Sequence, residues 1–316
     1  MRAVQLTGYG TPDVVEVTEV AAPRAGAGQI RVAVRASGLS TGEVRLRSGA
    51  LKDVVPLESP YRTGFDAAGV VDEVGAGVTG VSPGDEVFGL VSAVTRGANA
   101  DLAVLEAWAP RPSGWTWAEA GGAGGSVETA VRVLDRMRVD ACATVLVQGA
   151  TGAAGTVVAQ VALARGAMVI GTASAANQEF VRSLGATPTE YGAGLVDRIQ
   201  ALAPAGVDVV IDCAGAGLPD LVTIAGDSTN VLTIADPQAV ELGVQFSYSA
   251  PGADRGDTGT PHADALAVHA LPLAASLADA GRLRIPIAAA LSLSDAAVAH
   301  RLSESRHPPG RIVLTH

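Results

Sequence analysis

A run of apolar, mostly β-branched residues, Ala143–Val147 (ATVLV), leads into Gly149-x-x-Gly152-x-x-Gly155 and then into a stretch with helical spacing of apolar residues that ends near Arg165. No other segment constrains the fold of this chain so tightly. Strand, glycine turn and helix together form the opening of a dinucleotide-binding βαβ unit. Such a unit needs its glycines because a pyrophosphate must approach backbone N–H groups at a helix N-terminus, where side chains would stand in the way. In a chain with 38 glycines a triplet alone means little; the strand before it and the helix after it give it weight. The alternative is a tight strand–helix turn with no ligand. Gly149, Ala150, Thr151, Gly152, Ala153, Ala154 and Gly155 are therefore candidate cofactor contacts.

The same rhythm continues downstream. Strand-like runs at Met168–Ile170, Val207–Ile211 and Val231–Ile234 alternate with helical stretches at Gln178–Leu184 and Leu195–Leu202. Near-continuous apolar strands between helices imply a parallel sheet covered on both faces. Gly166 is placed to close the first helix.

The end of the second strand bears on the cofactor. NAD binders place Asp or Glu there to hold the ribose 2′-hydroxyl. Here the strand runs out as Gly171-Thr172-Ala173-Ser174-Ala175-Ala176, and the first carboxylate is Glu179. Ser174 and Asn177 either hydrogen-bond a 2′-phosphate or cap the following helix. Arg182 lies a turn further along. NADPH is the expected cofactor.

The two ends of the chain read differently. Residues 1 to about 112 carry short strands, among them Ile30–Ala36, Gly69–Val74 and Glu86–Leu90, joined by turns such as Ser82-Pro83-Gly84-Asp85. The tail holds helical patterns at Ala265–Ala280 and Asp295–Ser303 and a closing strand at Gly310–Thr315, with Ala250–Pro261 read as a loop. The expected division is residues 1–115 with 251–316, rich in β structure, and 116–250, the nucleotide-binding domain.

Composition narrows the function. With 22 basic and 32 acidic side chains the net charge is −10, and no run of Lys and Arg offsets it. Such a surface repels nucleic acid and anionic membranes. No stretch reaches the roughly 18–20 apolar residues of a membrane span, and the N-terminus alternates like a strand rather than a signal peptide. A soluble, cytoplasmic protein acting on a small molecule is expected. Cys142 and Cys213 are read as buried thiols. His262, His269, His300, His307 and His316 lack metal-ligand spacing and are read as surface residues.

Several blocks, taken in order, resemble the medium-chain dehydrogenase/reductase superfamily, and within it the zinc-independent, quinone oxidoreductase-like branch. They are MRAVQLTGYGTPDVVEV, the block from Gly64 to Gly89 (GFDAAGVVDEVGAGVTGVSPGDEVFG), GATGAAG, LGAT at Leu184–Thr187, Tyr191, GVDVVIDCAG and the closing GRIVL. The resemblance implies an α/β protein: a GroES-like, β-rich catalytic domain made from both chain ends, plus a Rossmann domain with a doubly wound parallel sheet. It implies an active site in the cleft between them, and homodimers that pair the last Rossmann strand, here GVQFSY at 243–248. Thr129 matches a threonine near the nicotinamide and Tyr191 a tyrosine near the 2′-phosphate. Cys213 and Ala235 complete the candidate cofactor contacts.

Zinc-dependent relatives have Cys where this chain has Ser40, and His-Glu where it has Phe65-Asp66; their four-cysteine zinc lobe is absent. No bound metal is expected. Without a Lewis acid, alcohol oxidation lacks a group to hold the alkoxide. Reduction of a C=C bond conjugated to a carbonyl needs less: hydride reaches the β-carbon, hydrogen-bond donors steady the enolate, and a proton follows. The resemblance therefore implies an enone, an enoyl thioester or a quinone as substrate. The chain departs from that branch at Ser40 (often Asn), Glu43 (Asp), Leu51 (Tyr) and Gly124 (Pro), so the usual proton donor is missing. Tyr61 is the candidate substitute, or else packs in the cleft wall. Glu128 either points into the cleft or lies on a solvated helix face. Ser40 is the third catalytic candidate. A protein that binds NADPH with little redox turnover, as a sensor or as a non-redox cyclase or isomerase, is the other reading.

Overall fold

Val145, Leu146 and Val147 have no exposed surface, which is what a strand covered on both faces requires. The protein is described from a computed structural model, covering residues 1–52, 56–92, 96–249, 264–305 and 309–316. It resolves into two units, Met1–Gly125 with Leu271–His316, and Ser126–Ala270.

The first unit begins with β1 (Arg2–Leu6), β2 (Val15–Glu19), β3 (Ile30–Gly38), α1 (Thr41–Arg47), β4 (Tyr61–Arg62), β5 (Asp66–Val74), β6 (Glu86–Val91), β7 (Leu102–Pro110) and α2 (Trp117–Gly121). β1 pairs antiparallel with β2 and with β4. The alternation of β3 buries Ile30, Val32 and Val34 with Val71, Val87 and Leu105.

The chain then runs through α3 (Gly124–Arg136), β8 (Thr144–Gln148), α4 (Ala153–Ala164), β9 (Met168–Ala173), α5 (Gln178–Ser183), β10 (Thr187–Glu190), α6 (Leu195–Leu202), β11 (Val209–Asp212), α7 (Leu218–Ala225), β12 (Val231–Thr233) and β13 (Gln245–Phe246). The six strands form one sheet in the order β10-β9-β8-β11-β12-β13. Every pairing in it is parallel. Numbered from β8, that is the 3-2-1-4-5-6 order of a dinucleotide-binding sheet, which reverses direction between β8 and β11. Gly166 follows α4 with φ 93°, as a helix-closing glycine should.

The first unit is completed by α8 (Ala270–Asp279), β14 (Ile287–Ser292), α9 (Ala296–Glu304) and β15 (Arg311–Thr315). Its larger sheet runs β14-β15-β3-β5-β6-β7, and β7 also pairs back onto β3, closing a ring of four strands. The GroES-like and Rossmann architecture expected from the resemblance is what the chain adopts.

Several local expectations are corrected. The helix expected over Ala265–Ala280 starts only at Ala270, because the preceding backbone is engaged elsewhere: Asp264 N–H donates to Tyr248 O, and Ala267 N–H donates to Glu128 Oε1. Cys142 is exposed and Cys213 half-buried; Cys142 lies in the turn before β8, where its N–H donates to Asp140. His300 is not on the surface but fully buried in α9, and His316 is half-buried against Ser37. The Ala250–Pro261 loop, His262 and His307 lie outside the described residues.

Candidate cofactor and proton-transfer sites

The three glycines of the nucleotide loop do different work. Gly149 has φ 78°, a conformation that favours glycine. Gly155 lies so near the loop that a Cβ on it would meet Gly149 O at 2.2 Å. Gly152 is under neither constraint: its φ is −75°, and the nearest atom to an added Cβ is 3.5 Å away. The protein's own packing leaves the space at Gly152 open. Thr151, Ala153, Ala154 and Gly155 donate their backbone N–H to no acceptor among the described residues, while Gly152 N–H is used by Gly149 O. Free donors around an open glycine at the start of α4 fit the pyrophosphate of a dinucleotide.

Two polar residues inside otherwise apolar strands hold the loop. The Thr172 hydroxyl donates to Gln148 Oε1 at 2.6 Å and accepts from Gly149 N–H at 3.0 Å. Across the switch point, buried Asp212 accepts from the N–H groups of Ala214 and Gly215 and from the Thr233 hydroxyl at 2.6 Å. This shapes the turns after β11 and β12, which carry Cys213 and Ala235.

Parallel pairing sets Glu190 opposite Ala173, so Tyr191 and Ser174 follow side by side at neighbouring strand ends. Ser174 and Asn177 both occupy N-cap positions, yet neither side chain makes a capping hydrogen bond. The capping alternative is thus not realised, and both side chains are left for another partner. Tyr191 is 54% exposed, in a turn whose carbonyls at Glu190, Gly192 and Ala193 accept from Arg198. Arg182 pairs with Glu179 at 2.6 Å.

On α3, Glu128 does not lie on a solvated helix face. It is 1% exposed, and its carboxylate accepts from Arg132 at 2.8 Å, from Ala267 N–H at 3.2 Å and from the Thr129 hydroxyl at 3.3 Å. Arg132, one turn on, also reaches Ser247, and Asp264 at 3.5 Å. The Glu128 oxygens are thus engaged by Arg132, the Ala267 N–H and the Thr129 hydroxyl. The Glu-x-x-x-Arg spacing was the sequence signal for this pair.

The first unit gathers a second set. Ser40 is the N-cap of α1, accepting from Gly42 N–H at 3.1 Å, and Glu43 closes a capping box with it. The other Glu43 oxygen accepts from Gly64 N–H. Burial pushes the Glu43 carboxyl above the usual carboxylate range, against the pull of Arg96 and of its two backbone donors. Burial pushes the Tyr61 phenol, on β4, above its ordinary value and so disfavours its ionisation, with Arg96 opposing. The Arg96 guanidinium also lies 4.9 Å over the Phe65 ring. Asp66 is fully buried, ion-paired with Arg311 at 2.9 Å and accepting from Gly125 N–H at 2.9 Å; it is structural. Ser40, Glu43, Tyr61 and Phe65 were singled out in the sequence. Arg96 was not, because nothing in its local pattern (TRGAN) marks it. Among the described residues no group of three His, Cys, Asp or Glu side chains is arranged to hold a metal, and no helix is long and apolar enough to cross a membrane.

These two units, one with a six-stranded parallel nucleotide-binding sheet and one with a partly closed β sheet, define a dehydrogenase/reductase of the two-domain type. Residues 26–141 match the alcohol dehydrogenase GroES-like domain and residues 184–314 match a family described as zinc-binding dehydrogenase. Rat quinone oxidoreductase is 33% identical over 219 residues, 67% of this chain and 66% of that protein. The spectinabilin polyketide synthase system protein NorB of Streptomyces orinoci is 35% identical over 221 residues, 67% of this chain but a tenth of its own length. A mycobacterial protein solved in complex with NADPH superposes with a TM-score of 0.78 at 25% identity, covering all of both chains. The chain belongs to the medium-chain dehydrogenase/reductase superfamily, in its quinone oxidoreductase-like branch.

Proposed function

We propose that this protein is a zinc-independent, NADPH-dependent reductase of a small molecule bearing a C=C bond conjugated to a carbonyl, or of a quinone. The observation that carries this reading is the strand end at Ser174: no acid, two polar side chains unused by capping, and Tyr191 alongside. It is supported by the likeness to rat quinone oxidoreductase and to the mycobacterial protein complexed with NADPH.

A bound NADPH supplies the hydride. The N–H groups of Thr151, Ala153, Ala154 and Gly155 hold the pyrophosphate, and Ser174, Asn177 and Tyr191 hold the 2′-phosphate. Thr129, kept in place by Glu128 and Arg132, orients the nicotinamide. Tyr61 gives a proton to the carbon next to the carbonyl. The Ser40 hydroxyl accepts from Gly42 and keeps its own proton for a substrate oxygen. Unlike a Lewis acid, this set offers only hydrogen bonds and a proton, which suits enolate chemistry.

Purified protein mixed with NADPH and a panel of enones, enoyl thioesters and quinones should lose nicotinamide absorbance with at least one class. Cofactor binding without any turnover would favour the non-redox reading. The protein is further proposed to be a cytoplasmic homodimer paired through the edge strand β13; a monomer at micromolar concentration in light scattering would count against the pairing.

A further inference from the structure

We infer that Glu128 and Arg132 fix the polarity of the Thr129 hydroxyl, so that it meets the cofactor as a hydrogen-bond acceptor. It then selects a ring substituent that donates, the carboxamide N–H of nicotinamide, over one that only accepts. The inference rests on the reading of the protein as NADPH-dependent.

A chain of contacts inside the nucleotide-binding unit sets Thr129 at the carboxyl edge of the parallel sheet. Asp212 and Thr233 end β11 and β12, and the Thr233 hydroxyl joins them at 2.6 Å. Thr233 O accepts from the N–H of Ser247, just past β13, at 2.9 Å. The Ser247 hydroxyl accepts in turn from Arg132 and donates to Asp264. Arg132 also reaches Thr129 Oγ1 at 3.4 Å. Ligands of such sheets lie outside the carboxyl ends of the strands, across the switch point. The glycine loop and Ser174 belong to the β8–β10 half, so the β11–β13 half beside Thr129 falls to the nicotinamide end of a dinucleotide. Glu128, Arg132 and Ser247 are buried, whereas Thr129 is half-buried. Of the four, Thr129 has surface left for a ligand.

The partners of Thr129 leave no choice of polarity. A guanidinium has no acceptor, and an ion-paired carboxylate has no donor. Arg132 Nη2–H therefore donates to Thr129 Oγ1, and the Thr129 proton goes to Glu128 Oε2 at 3.3 Å. A hydroxyl has one proton and two lone pairs, so one lone pair is left over. The two Glu128 oxygens are not equivalent. Oε1 accepts from Arg132 Nε at 2.8 Å and from Ala267 N–H at 3.2 Å, and Oε2 accepts from Thr129 and from Arg132 Nη2. In Glu128→Gln the amide oxygen belongs at the Oε1 position, where the shorter bonds converge. The amide NH2 then takes the Oε2 position, donates to Thr129 and releases the hydroxyl proton towards the ligand. Glu128 and Arg132 act through Thr129 and are positioning residues.

The test compares NADP+ with its acetylpyridine analogue, in which a methyl ketone replaces the carboxamide, in matched calorimetric titrations. The wild-type protein should bind NADP+ about five- to tenfold more tightly, the strength of one hydrogen bond, and Thr129→Ser should keep that ratio. Thr129→Val should bring the two affinities together by weakening NADP+. Glu128→Gln should bring them together the other way, by strengthening the analogue, whose ketone accepts the freed proton. No preference in the wild-type protein, or the wild-type ratio in Thr129→Val, would overturn the proposal. So would an analogue that gains nothing in Glu128→Gln. Should the ratios move as stated while no alkene or quinone is reduced, the inference stands and the proposed reaction falls. An active enzyme whose ratio ignores Thr129→Val has the reverse meaning, and a protein that binds neither dinucleotide overturns both.

Discussion

A Cβ atom placed on Gly155 would lie 2.2 Å from the carbonyl oxygen of Gly149, whereas one placed on Gly152 would come no nearer than 3.5 Å to that same oxygen. Two glycines of one motif thus differ: the protein's own packing requires the first and leaves the space at the second open.

Gly155→Ala should therefore cost stability, about 1–3 kcal/mol for forcing helix and loop apart. Gly152→Ala should cost about 1 kcal/mol at most, since alanine is only a poorer N-cap than glycine, yet weaken NADPH binding at least tenfold. Denaturant unfolding and cofactor titration on both variants check this. Equal NADPH affinity in Gly152→Ala and wild type would show that the open space at 152 is not used by the pyrophosphate.

Burial and the nearby Arg47 charge push the His300 imidazole down to about 4 from an ordinary 6.5, and both ring nitrogens are buried without partners among the described residues. The folded state therefore keeps His300 neutral where the unfolded chain already binds a proton. Stability is full above pH 6.5 and is lost as pH falls from 6.5 toward 4, by about 3 kcal/mol in total from this group. His316, also lowered to about 4 chiefly by burial, adds to the loss in the same window. His300→Leu should flatten the slope of unfolding free energy between pH 6.5 and 4. An unchanged slope would mean the imidazole is protonated in the fold.

The legible and the illegible parts of this chain divide along a physical line. β8, α4, β9, α6 and β11 announce themselves, because their signals are local: apolar runs, helical spacing and glycines in fixed places. The N-cap positions of Ser174 and Asn177 were legible too, but not that their side chains leave the caps unmade. Arg96, Asp212 and the Thr172–Gln148 contact were not visible, since each draws its meaning from a neighbour far away in sequence. His300 was misread for the same reason. A histidine in DAAVAHRLS looks solvated until α9 is packed against the core that holds Leu6, Val44 and Leu314.

Glu128 and Arg132 form a pair that is 1% and 6% exposed at the side chains. Removing one partner of such a pair leaves a buried charge uncompensated, so Glu128→Ala should cost about 3–5 kcal/mol, while Glu128→Gln, which keeps an acceptor, should cost less. Turnover per folded molecule should survive Glu128→Gln in good part. Thr129→Val should do the opposite, lowering turnover with about 1 kcal/mol of stability lost. If Glu128→Gln abolished turnover in a protein of wild-type stability, Glu128 would be an acid or base after all.

The final expectation concerns NADPH against NADH. An acid at the end of β9 would repel a 2′-phosphate, and none is present. Its absence removes a penalty without adding attraction. Ser174, Asn177 and Tyr191 offer neutral hydrogen bonds, about half as strong as charge-assisted ones. Two cations on the helices that follow β9 and β10 are otherwise engaged: Arg182 pairs with Glu179, and Arg198 donates to the carbonyls of the Tyr191 turn. The preference for NADPH should therefore be real but moderate, on the order of ten- to a hundredfold, or about 1.4–2.8 kcal/mol. Ser174→Asp should abolish or reverse it, because the new carboxylate repels the phosphate and accepts from the ribose hydroxyls. Matched titrations with the two cofactors at one salt concentration decide the matter. Equal affinities in the wild-type protein, or tighter NADH, would mean that the polar side chains at this strand end do not read the 2′-phosphate.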